Sequence, residues 1–160
     1  FPKANEYLHT NITGNFDLIV DATNMFSIPD NSLDVIVCIS VLEHIFEHDK
    51  AINEIERVLK PGGKLILTVP FGFPYHDDVD YWRFSRDYFT VAMEKFILHT
   101  VTNMGGRLST IVNTLQRPCG KLTLRYFFYK LIGFIIAIIA IRSDVKDSFP
   151  LGYGIFAEKK

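Results

Sequence analysis

The segment YHDDVDYWRF at residues 75–84 holds the most chemically versatile group of side chains in this sequence. His76 stands next to Asp77 and four positions before Asp80, so two carboxylates can surround one imidazole. Nearby negative charge stabilises the imidazolium ion, which favours histidine as a general base near neutral pH. We therefore predict that His76, Asp77 and Asp80 form a catalytic group that takes a proton from a substrate hydroxyl.

The same segment also permits a purely structural interpretation, and the sequence leaves both open. Its acids can cap turns, while Tyr81, Trp82 and Phe84 can pack together as part of a core. Arg83 can bind an acidic or sugar-phosphate group, or it can simply pair with an acid such as Asp80. Under the functional interpretation, Tyr81, Trp82 and Arg83 bind the substrate.

A glycine pair followed by lysine, in LKPGGKLILTVP (59–70), raises the question of a phosphate-binding loop. Such a loop follows a strand and opens a helix, whose N-terminal N–H groups face the anion. Here the order is reversed, because a helical apolar periodicity over 49–60 precedes the glycines and a strand-like run follows them. Pro61 ends the helix and Gly62-Gly63 form a turn, so the segment predicts a helix–turn–strand connection.

The bulk composition is that of one globular domain spanning the 160 residues, with 48% hydrophobic and 22% charged residues. The net charge of −1 gives no electrostatic case for nucleic acid as a partner. Cys38 and Cys119 are far apart and do not have the spacing of metal ligands, so the sequence predicts no metal site. A reduced, cytoplasmic chain is the simplest interpretation.

Strand-like and helical segments alternate along the chain. Apolar, β-branched runs at 16–21, 33–40 and 64–70 predict strands, and the run at 33–40 is typical of a strand buried on both faces. Helices are predicted over 49–60, where Asp49 can be the N-cap and Glu56 can pair with Lys60 at helical spacing, and over 86–96, where Ser85 can be the N-cap. This alternation predicts an α/β fold with a parallel sheet and helices on both of its faces.

The apolar segment 121–142 has several possible roles. Its uninterrupted apolar part, LIGFIIAIIAI (131–141), has 11 residues, whereas a membrane span needs ~20. The alternatives are a helix buried in the core or at a dimer contact, a peripheral membrane helix flanked by Lys130 and Arg142, and a membrane span. Two buried strands are also possible, because β-branched residues are frequent here.

Three pieces of sequence, in this order, carry a family resemblance. They are DATNMFSIPDNSLDVIV (21–37), VLEHI (41–45) and EIERVLKPGGKLILTVP (54–70). Together they resemble class I S-adenosylmethionine-dependent methyltransferases of the type-11 branch. The segment 74–85 and the closing FPLGYGIFAEKK (149–160) are similar to later parts of the same family.

The resemblance implies a Rossmann-like, mostly parallel sheet with helices on both faces, and S-adenosylmethionine as cofactor. Asp21 would accept from the adenine amino group, the Ala22 N–H would serve a ring nitrogen, and Met25 would cover the adenine face. Without the resemblance, Asp21 is as well explained as a turn former. The implied methyl acceptor is a small molecule, a glycan or a lipid-linked sugar.

Further cofactor contacts are implied at three positions. Ser40 would face the methionine part of the cofactor, and His44 would line the cofactor side of the pocket or serve in capping and packing. An acid usually binds the ribose hydroxyls at the end of the second strand, and Asn11 occupies that position here, with Glu6 as an alternative. An amide binds these hydroxyls more weakly than a carboxylate does.

The departure from the family lies before these segments. The glycine-rich turn that follows the family's first strand is not found in residues 1–20, so we expect one partial methyltransferase domain over 1–160, with 121–142 as a helical insertion before the last strand. The remaining strands would form two groups with unpaired inner edges. The 160 residues alone are therefore expected to bind cofactor weakly and to be inactive.

Two other functions compete with methyl transfer. The chain could be a non-catalytic half-fold that associates with a membrane or a partner through 121–142. A nicotinamide-dependent dehydrogenase would share the fold class, but no G-x-G-x-x-G motif occurs in the sequence.

Overall fold

The computed structural model describes residues 6–116, 124–143 and 149–160 of the chain. The strands are β1 (Thr10–Asn11), β2 (Leu18–Ile19), β3 (Leu33–Ile39), β4 (Leu59–Pro70), β5 (Phe96–Met104) and β6 (Gly152–Lys159). The helices are α1 (His48–Val58), α2 (Arg86–Ala92), α3 (Arg107–Gln116) and α4 (Leu124–Ser143), and a 3-10 turn spans Leu42–His44.

The strands form two sheets, a parallel pair β1-β2 and a four-stranded sheet of order β3-β4-β6-β5. β4 runs parallel to β3, whereas β6 is antiparallel to both β4 and β5, so three of these four strands share one direction. The predicted α/β architecture with a mostly parallel sheet is confirmed. The expected division of the strands into two groups is also observed among the described residues.

The core forms where α1 meets the four-stranded sheet. Side chains alternate along β4, so that Leu65, Leu67 and Val69 are buried on one face. They join one apolar cluster with the buried stripe of α1, which consists of Ala51, Ile52, Ile55 and Val58. Burial of this stripe, at helical spacing, holds α1 against the sheet and fixes the connections at both of its ends.

β3 is less buried than its sequence predicts. Val35, Val37 and Ile39 are exposed by 42%, 52% and 52%, so the expected burial on both faces is wrong for this strand as described. The reason is that no described element covers the face of β3 that carries these three side chains. β3 also lies at the edge of its sheet and pairs only with β4. Its alternate residues Ile36 and Cys38 pack against the core, so only one face is covered.

The polar contacts at the two ends of α1 also differ from those that the sequence predicts. Glu47, not Asp49, precedes the helix, and Asp49 instead accepts a 2.9 Å hydrogen bond from the Tyr88 hydroxyl. The Glu56–Lys60 pair expected at helical spacing is wrong, because the helix ends at Val58 and Lys60 lies in β4. Lys60 pairs with Asp34 across the sheet at 2.7 Å.

The helix and the strand predicted around Pro61 are both observed, as α1 and β4, but the predicted turn between them is not. β4 begins at Leu59, directly after α1, so Pro61, Gly62 and Gly63 lie within the strand. The register of β4 with β3 shifts across this stretch, between the pairs Leu33–Leu59 and Val35–Lys64. Gly62 adopts a φ of 76°, which an L side chain rarely tolerates, and a Cβ on Gly63 would lie 2.8 Å from the Lys60 carbonyl oxygen. The glycine pair therefore allows this irregularity within β4.

Gly152 on β6 offers a test of how tightly the central strands pack. A Cβ at this position would lie 2.4 Å from the Val69 carbonyl oxygen, which is backbone and cannot rotate away. We expect Gly152→Ala to lower the free energy of unfolding by about 2 kcal/mol, measured by urea denaturation. Gly154→Ala, whose nearest contact is the Thr102 hydroxyl at 3.2 Å, is the milder control. Equal stability of the two variants would contradict this packing.

The apolar segment forms a helix, α4, and not the pair of strands that was one alternative. Its residues Phe134, Ile135 and Ile138 are 61%, 52% and 56% exposed. Within the described ranges, no helix combines the length and the apolarity that crossing a bilayer requires. Residues 121–123 of the predicted helix, and Cys119, lie outside the described residues. The dimer or membrane contact through 121–142 stays a prediction.

Candidate functional site

The carboxyl ends of β3 and β4 lie side by side, because the two strands are parallel. Ligands of open α/β sheets bind at this kind of edge. Ser40 follows β3 with a φ of 51°, and its N–H donates to the carbonyl and hydroxyl oxygens of Thr68 at 3.0 and 3.1 Å. A residue other than glycine keeps such a φ only when its surroundings fix it. The chain thus turns sharply from β3 into Leu42–His44.

Glu43 has an unusual environment in this turn. Its side chain is 0% exposed, and within the described part of the chain neither carboxylate oxygen has a hydrogen-bond partner. Burial raises the pKa of the Glu43 carboxyl above its ordinary value. The Glu43 carbonyl oxygen accepts from the Tyr81 N–H at 2.8 Å and ties the turn to the loop after β4. A buried carboxylate without donors is costly, so the site needs a positively charged or donating partner.

The His44 ring is oriented by the backbone of that loop. Its Nδ1 contacts the carbonyl oxygen of Val79, which can only accept, so Nδ1 carries the proton and donates. The neutral ring then has its lone pair on Nε2. Nε2 lies 3.8 Å from Glu43 Oε1 and 3.6 Å from Asp77 Oδ2.

His76 approaches the same point from the loop after β4. Its Nε2 lies 3.7 Å from Glu43 Oε1 and 3.9 Å from Asp77 Oδ2. Its Nδ1 lies 3.0 Å from Asp80 Oδ2, an ion-pair distance without the direction of a hydrogen bond. The His44 and His76 rings meet edge to face with centroids 4.9 Å apart. The structure thus brings His44, His76 and Asp77 around the Glu43 carboxylate.

Asp80 is held from the other side by Arg83. The guanidinium contacts both carboxylate oxygens, with Nη2 to Oδ2 at 2.6 Å and a second bond from Nη1 to Oδ1. Arg83 Nε also donates to the Phe73 carbonyl at 3.0 Å. These bonds lower the pKa of the fully buried Asp80 carboxyl to about 2. Of the two roles open to Arg83, the pairing with Asp80 is the one observed, and it fixes the acid beside His76.

Trp82 fits the structural interpretation of the segment 75–84, whereas the position of Tyr81 leaves the substrate-binding interpretation open. Trp82 is half-buried, packs against His48, and donates from Nε1 to the Ile45 carbonyl at 3.1 Å. Tyr81 is 52% exposed and contacts the ring of Phe46. Their substrate-binding role stays a prediction, and Tyr81 is the more accessible of the two.

The predicted adenine-binding residues lie in the loop after β2. The Asp21 carboxylate is exposed, and its Oδ1 accepts from the N–H and hydroxyl of Thr23, both at 2.8 Å. These bonds form the turn that was the alternative to cofactor binding, and they use only Oδ1. Ala22 is half-buried, and Met25 is 8% exposed within the core cluster. Adenine contacts by Asp21, Ala22 and Met25 stay predictions.

This loop is braced by two charged residues of α1. Glu54 accepts from the Met25 N–H at 2.6 Å and from Arg57 Nη2 at 2.8 Å. Arg57 Nη2 also donates to the Met25 carbonyl at 2.8 Å. The Arg57 hydrogen bond lowers the pKa of the Glu54 carboxyl.

The lowered pKa of Glu54 predicts a pH-dependent contribution to stability. Because the folded pKa lies below the unfolded one, the stabilisation is present above the unfolded pKa of about 4.5 and is lost as the pH falls below it. We expect Glu54→Gln to cost about 1.5 kcal/mol in urea unfolding at pH 7 and less at pH 3.5. Glu47→Gln, which removes an exposed pair with Lys50, should change little at either pH. An equal cost of Glu54→Gln at both pH values would contradict the assignment.

Asn11 lies at the end of β1. The parallel register pairs Asn11 with Ile19, so Asn11 and the Asp21 loop follow adjacent strands at the same edge. The Asn11 side-chain oxygen accepts from the Ile12 N–H at 2.7 Å. Its proposed ribose contact, and the methionine-side contacts of Ser40 and His44, stay predictions.

Sequence reasoning missed the part played by Glu43. In the sequence this acid is one residue of the VLEHI segment, and nothing in its spacing shows that it would be fully buried. The available signal was the pair Glu43-His44 directly after a strand end, opposite a second histidine after the next strand. Cys38, by contrast, is not a reactive group, since burial raises the pKa of its thiol to about 12.

Comparison with known proteins shows what the first part of the chain is similar to. Residues 2–67 match the type-11 family model described as a methyltransferase domain. This segment carries the sequence pattern of that family. The ubiquinone/menaquinone biosynthesis C-methyltransferase UbiE of Pseudoalteromonas translucida is 37% identical over 73 residues, which are 45% of this chain and 29% of that protein. The chain spans less than a third of the length of such curated relatives.

Solved structures extend the methyltransferase fold to most of the chain. A SAM-dependent methyltransferase from Archaeoglobus fulgidus aligns with a TM-score of 0.55 and 15% identity, covering 89% of this chain and 66% of that one. Phosphoethanolamine N-methyltransferase 2 of Haemonchus contortus, in complex with S-adenosyl-L-methionine, gives 0.51 and 22%, covering 88% and 36%. At these identities the likeness shows the fold.

Proposed function

We propose that the whole protein to which this chain corresponds transfers a methyl group from S-adenosylmethionine to a hydroxyl or acidic carbon of a small-molecule, glycan or lipid-linked acceptor. The observation that carries this proposal is the His76 ring, fixed by Asp80 and Arg83 at the carboxyl edge of β3 and β4. The names of the matched proteins include a ubiquinone/menaquinone biosynthesis C-methyltransferase and a phosphoethanolamine N-methyltransferase, which leaves the acceptor class open.

The residues at the strand ends fit the cofactor. Asp21 is exposed and uses only Oδ1 for its own turn, so Oδ2 remains available to accept from an adenine amino group. Asn11 follows the adjacent strand and can reach the ribose side. Ser40 is exposed, and its strained turn opens the edge where the methionine end would lie. S-adenosylmethionine supplies a methyl group on a sulfonium when bound, which is the demanding part of the chemistry.

Proton removal is the task left to the side chains. Asp80 is fully buried, and Arg83 keeps its pKa at about 2, so it cannot take up a proton near neutral pH. It acts as a positioning residue that fixes the His76 ring and stabilises its positive charge. His76 Nε2 faces the cluster and can accept the proton of an acceptor hydroxyl, with Asp77 beside it. The rigid ring supplies orientation, which can lower a barrier by ~7–11 kcal/mol.

The proposal is tested by methyl transfer with the full-length protein. It should convert radiolabelled S-adenosylmethionine to S-adenosylhomocysteine and label one member of a panel that contains phenolic and quinol rings, glycans and polyprenyl-linked sugars. Labelling of a hydroxyl would support the His76 role, and labelling of a ring carbon would favour C-methylation. Cofactor binding without transfer to any member of the panel, at saturating cofactor, would count against the proposed acceptor classes.

A further inference from the structure

We propose that Glu43, His44 and His76 bind a first-row divalent transition-metal ion. Their ligand atoms all lie within 4.8 Å of one another, at the carboxyl ends of two adjacent strands. The sequence predicted no metal site because only cysteine spacing was considered, and cysteine does not contribute to this cluster. The inference rests on the proposed function only for its catalytic consequence, since metal binding is measurable without any acceptor.

The strongest single observation is the buried, unpartnered carboxylate of Glu43. Buried polar groups in folded proteins are nearly always hydrogen-bonded, and an exception calls for an explanation such as a bound ion. Both Glu43 oxygens are buried and have no hydrogen-bond partner in the described residues, yet Oε1 faces two imidazole nitrogens. A cation between these three atoms would satisfy the carboxylate.

Both histidines are oriented as metal ligands usually are. A ligating histidine generally has its second ring nitrogen held by a backbone carbonyl or a carboxylate, which fixes the tautomer and the ring direction. Val79 provides the carbonyl at His44 Nδ1. Asp80 Oδ2 lies 3.0 Å from His76 Nδ1 and accepts from the His76 backbone N–H at 3.0 Å, so it holds this residue in place. Asp80 is in turn held by Arg83. Each Nε2 lies within 3.8 Å of Glu43 Oε1.

Binding of one ion would bring these atoms closer together. Ligand atoms about 2.1 Å from a tetrahedral ion are separated by about 3.4 Å. The two Nε2 atoms lie 3.8 and 3.7 Å from Glu43 Oε1, and all the ligand atoms lie within 4.8 Å of one another. No separation therefore needs to shorten by more than about 1.4 Å.

The donor set selects the class of ion. Two imidazoles and one carboxylate suit zinc, manganese, iron or cobalt in the divalent state, whereas magnesium and calcium take oxygen ligands. Three protein ligands leave coordination positions open, which is typical of catalytic sites. Asp77 borders the open side of this cluster. Its side chain is 72% exposed, and its Oδ2 lies within 4 Å of both Nε2 atoms.

The ion would change the assignment of the proton transfer. With His76 Nε2 bound to the ion, the acceptor hydroxyl would bind the ion and become more acidic, since a Lewis acid lowers the pKa of a bound hydroxyl. Its proton would then pass to the exposed Asp77 carboxylate. The acceptor oxygen keeps the electron pair of the broken O–H bond and uses it to form the new bond to the methyl group, while the sulfonium leaves as a neutral thioether.

The decisive experiment is a cobalt titration of full-length protein that has been treated with EDTA. We expect one Co²⁺ per chain with visible absorption bands, displaced by Zn²⁺. Glu43→Gln and His44→Ala should each weaken binding at least tenfold, and Asp80→Asn, through the His76 ring, by about 10–100-fold. His99→Ala, a histidine on β5 outside this cluster, should bind like the wild type. Glu43→Gln should also unfold at the same temperature as the metal-free wild type or higher, because it removes a buried carboxylate without partners.

The possible results test the metal site and the proposed function separately. Absence of a stoichiometric ion in the wild type, or equal affinity in Glu43→Gln and wild type, would overturn the metal site. If methyl transfer proceeds and survives EDTA, the proposed function stands and His76 itself is the base. If Co²⁺ binds as expected but no methyl transfer is found, the metal site stands and the proposed function fails.

Discussion

Replacing His76 by alanine should lower the methyl-transfer turnover proposed for the full-length protein by about 10²–10⁴-fold while leaving its affinity for S-adenosylmethionine nearly unchanged. In the proposed mechanism the imidazole either accepts the proton or holds the ion that binds the acceptor. Neither role involves the adenine end, which is predicted to lie with Asp21 in the loop after β2. Initial rates of S-adenosylhomocysteine release and cofactor binding by calorimetry measure the two effects separately.

His99→Ala is the matched control for this prediction. His99 lies on β5, stacks on Phe156 and contacts Glu158 at 3.2 Å, so it is a histidine of the same sheet outside the site. It should retain close to full turnover. A His76→Ala enzyme with unchanged turnover would reject the catalytic role of this histidine in both versions of the mechanism.

Removing Asp80 should have the largest effect on stability. Asp80 is fully buried and forms two bonds with Arg83, so Asp80→Ala leaves a partly buried guanidinium without its carboxylate. Breaking a buried ion pair by deleting one partner costs about 3 kcal/mol. For a chain of this size, each kcal/mol corresponds to about 2–4 °C in the unfolding midpoint. Thermal unfolding followed by circular dichroism should show the loss.

Asp78→Ala provides the comparison within the same loop. Asp78 is exposed, and substitutions at such positions usually change stability by less than about 0.5 kcal/mol. The double variant Asp80→Ala/Arg83→Met should recover part of the loss, because it removes the unpaired charge as well. If Asp80→Ala unfolds at the wild-type temperature, the pair does not hold the loop, and the positioning of His76 must have another source.

Local sequence patterns correctly predicted those elements whose apolar periodicity and end residues indicate the same structure. The stripe at Ile52 and Ile55 correctly indicated α1, and the apolar run after Gly63 correctly indicated β4, although the predicted turn lies within that strand. The resemblance to type-11 methyltransferases supplied the expected division of the strands into two groups, which single-strand patterns do not contain. Ser85 was correctly expected to cap α2, and its hydroxyl oxygen accepts from the Tyr88 N–H at 3.4 Å.

The predictions that failed share a physical cause. Each depends on tertiary contacts, which a local sequence pattern does not contain. The Glu56–Lys60 pair failed because the chain leaves the helix before Lys60, and β3 is exposed because its second face has no covering layer among the described residues. The predicted helix 86–96 ends at Ala92, because Phe96 begins β5 in register with Lys159. Burial of Glu43 likewise depends on the loop after β4 closing over it, which no local pattern encodes.

Calorimetric titration of S-adenosylmethionine into the full-length protein and its Asp21→Ala variant tests the central claim most directly. Micromolar binding is expected for the full-length protein, with at least tenfold weaker binding by the variant, because Asp21 is the residue predicted to contact adenine. Weak or no binding is expected for the 160-residue chain alone. Absence of binding by the full-length protein, or equal affinity of the Asp21→Ala variant, would contradict the cofactor site predicted at this edge of the sheet.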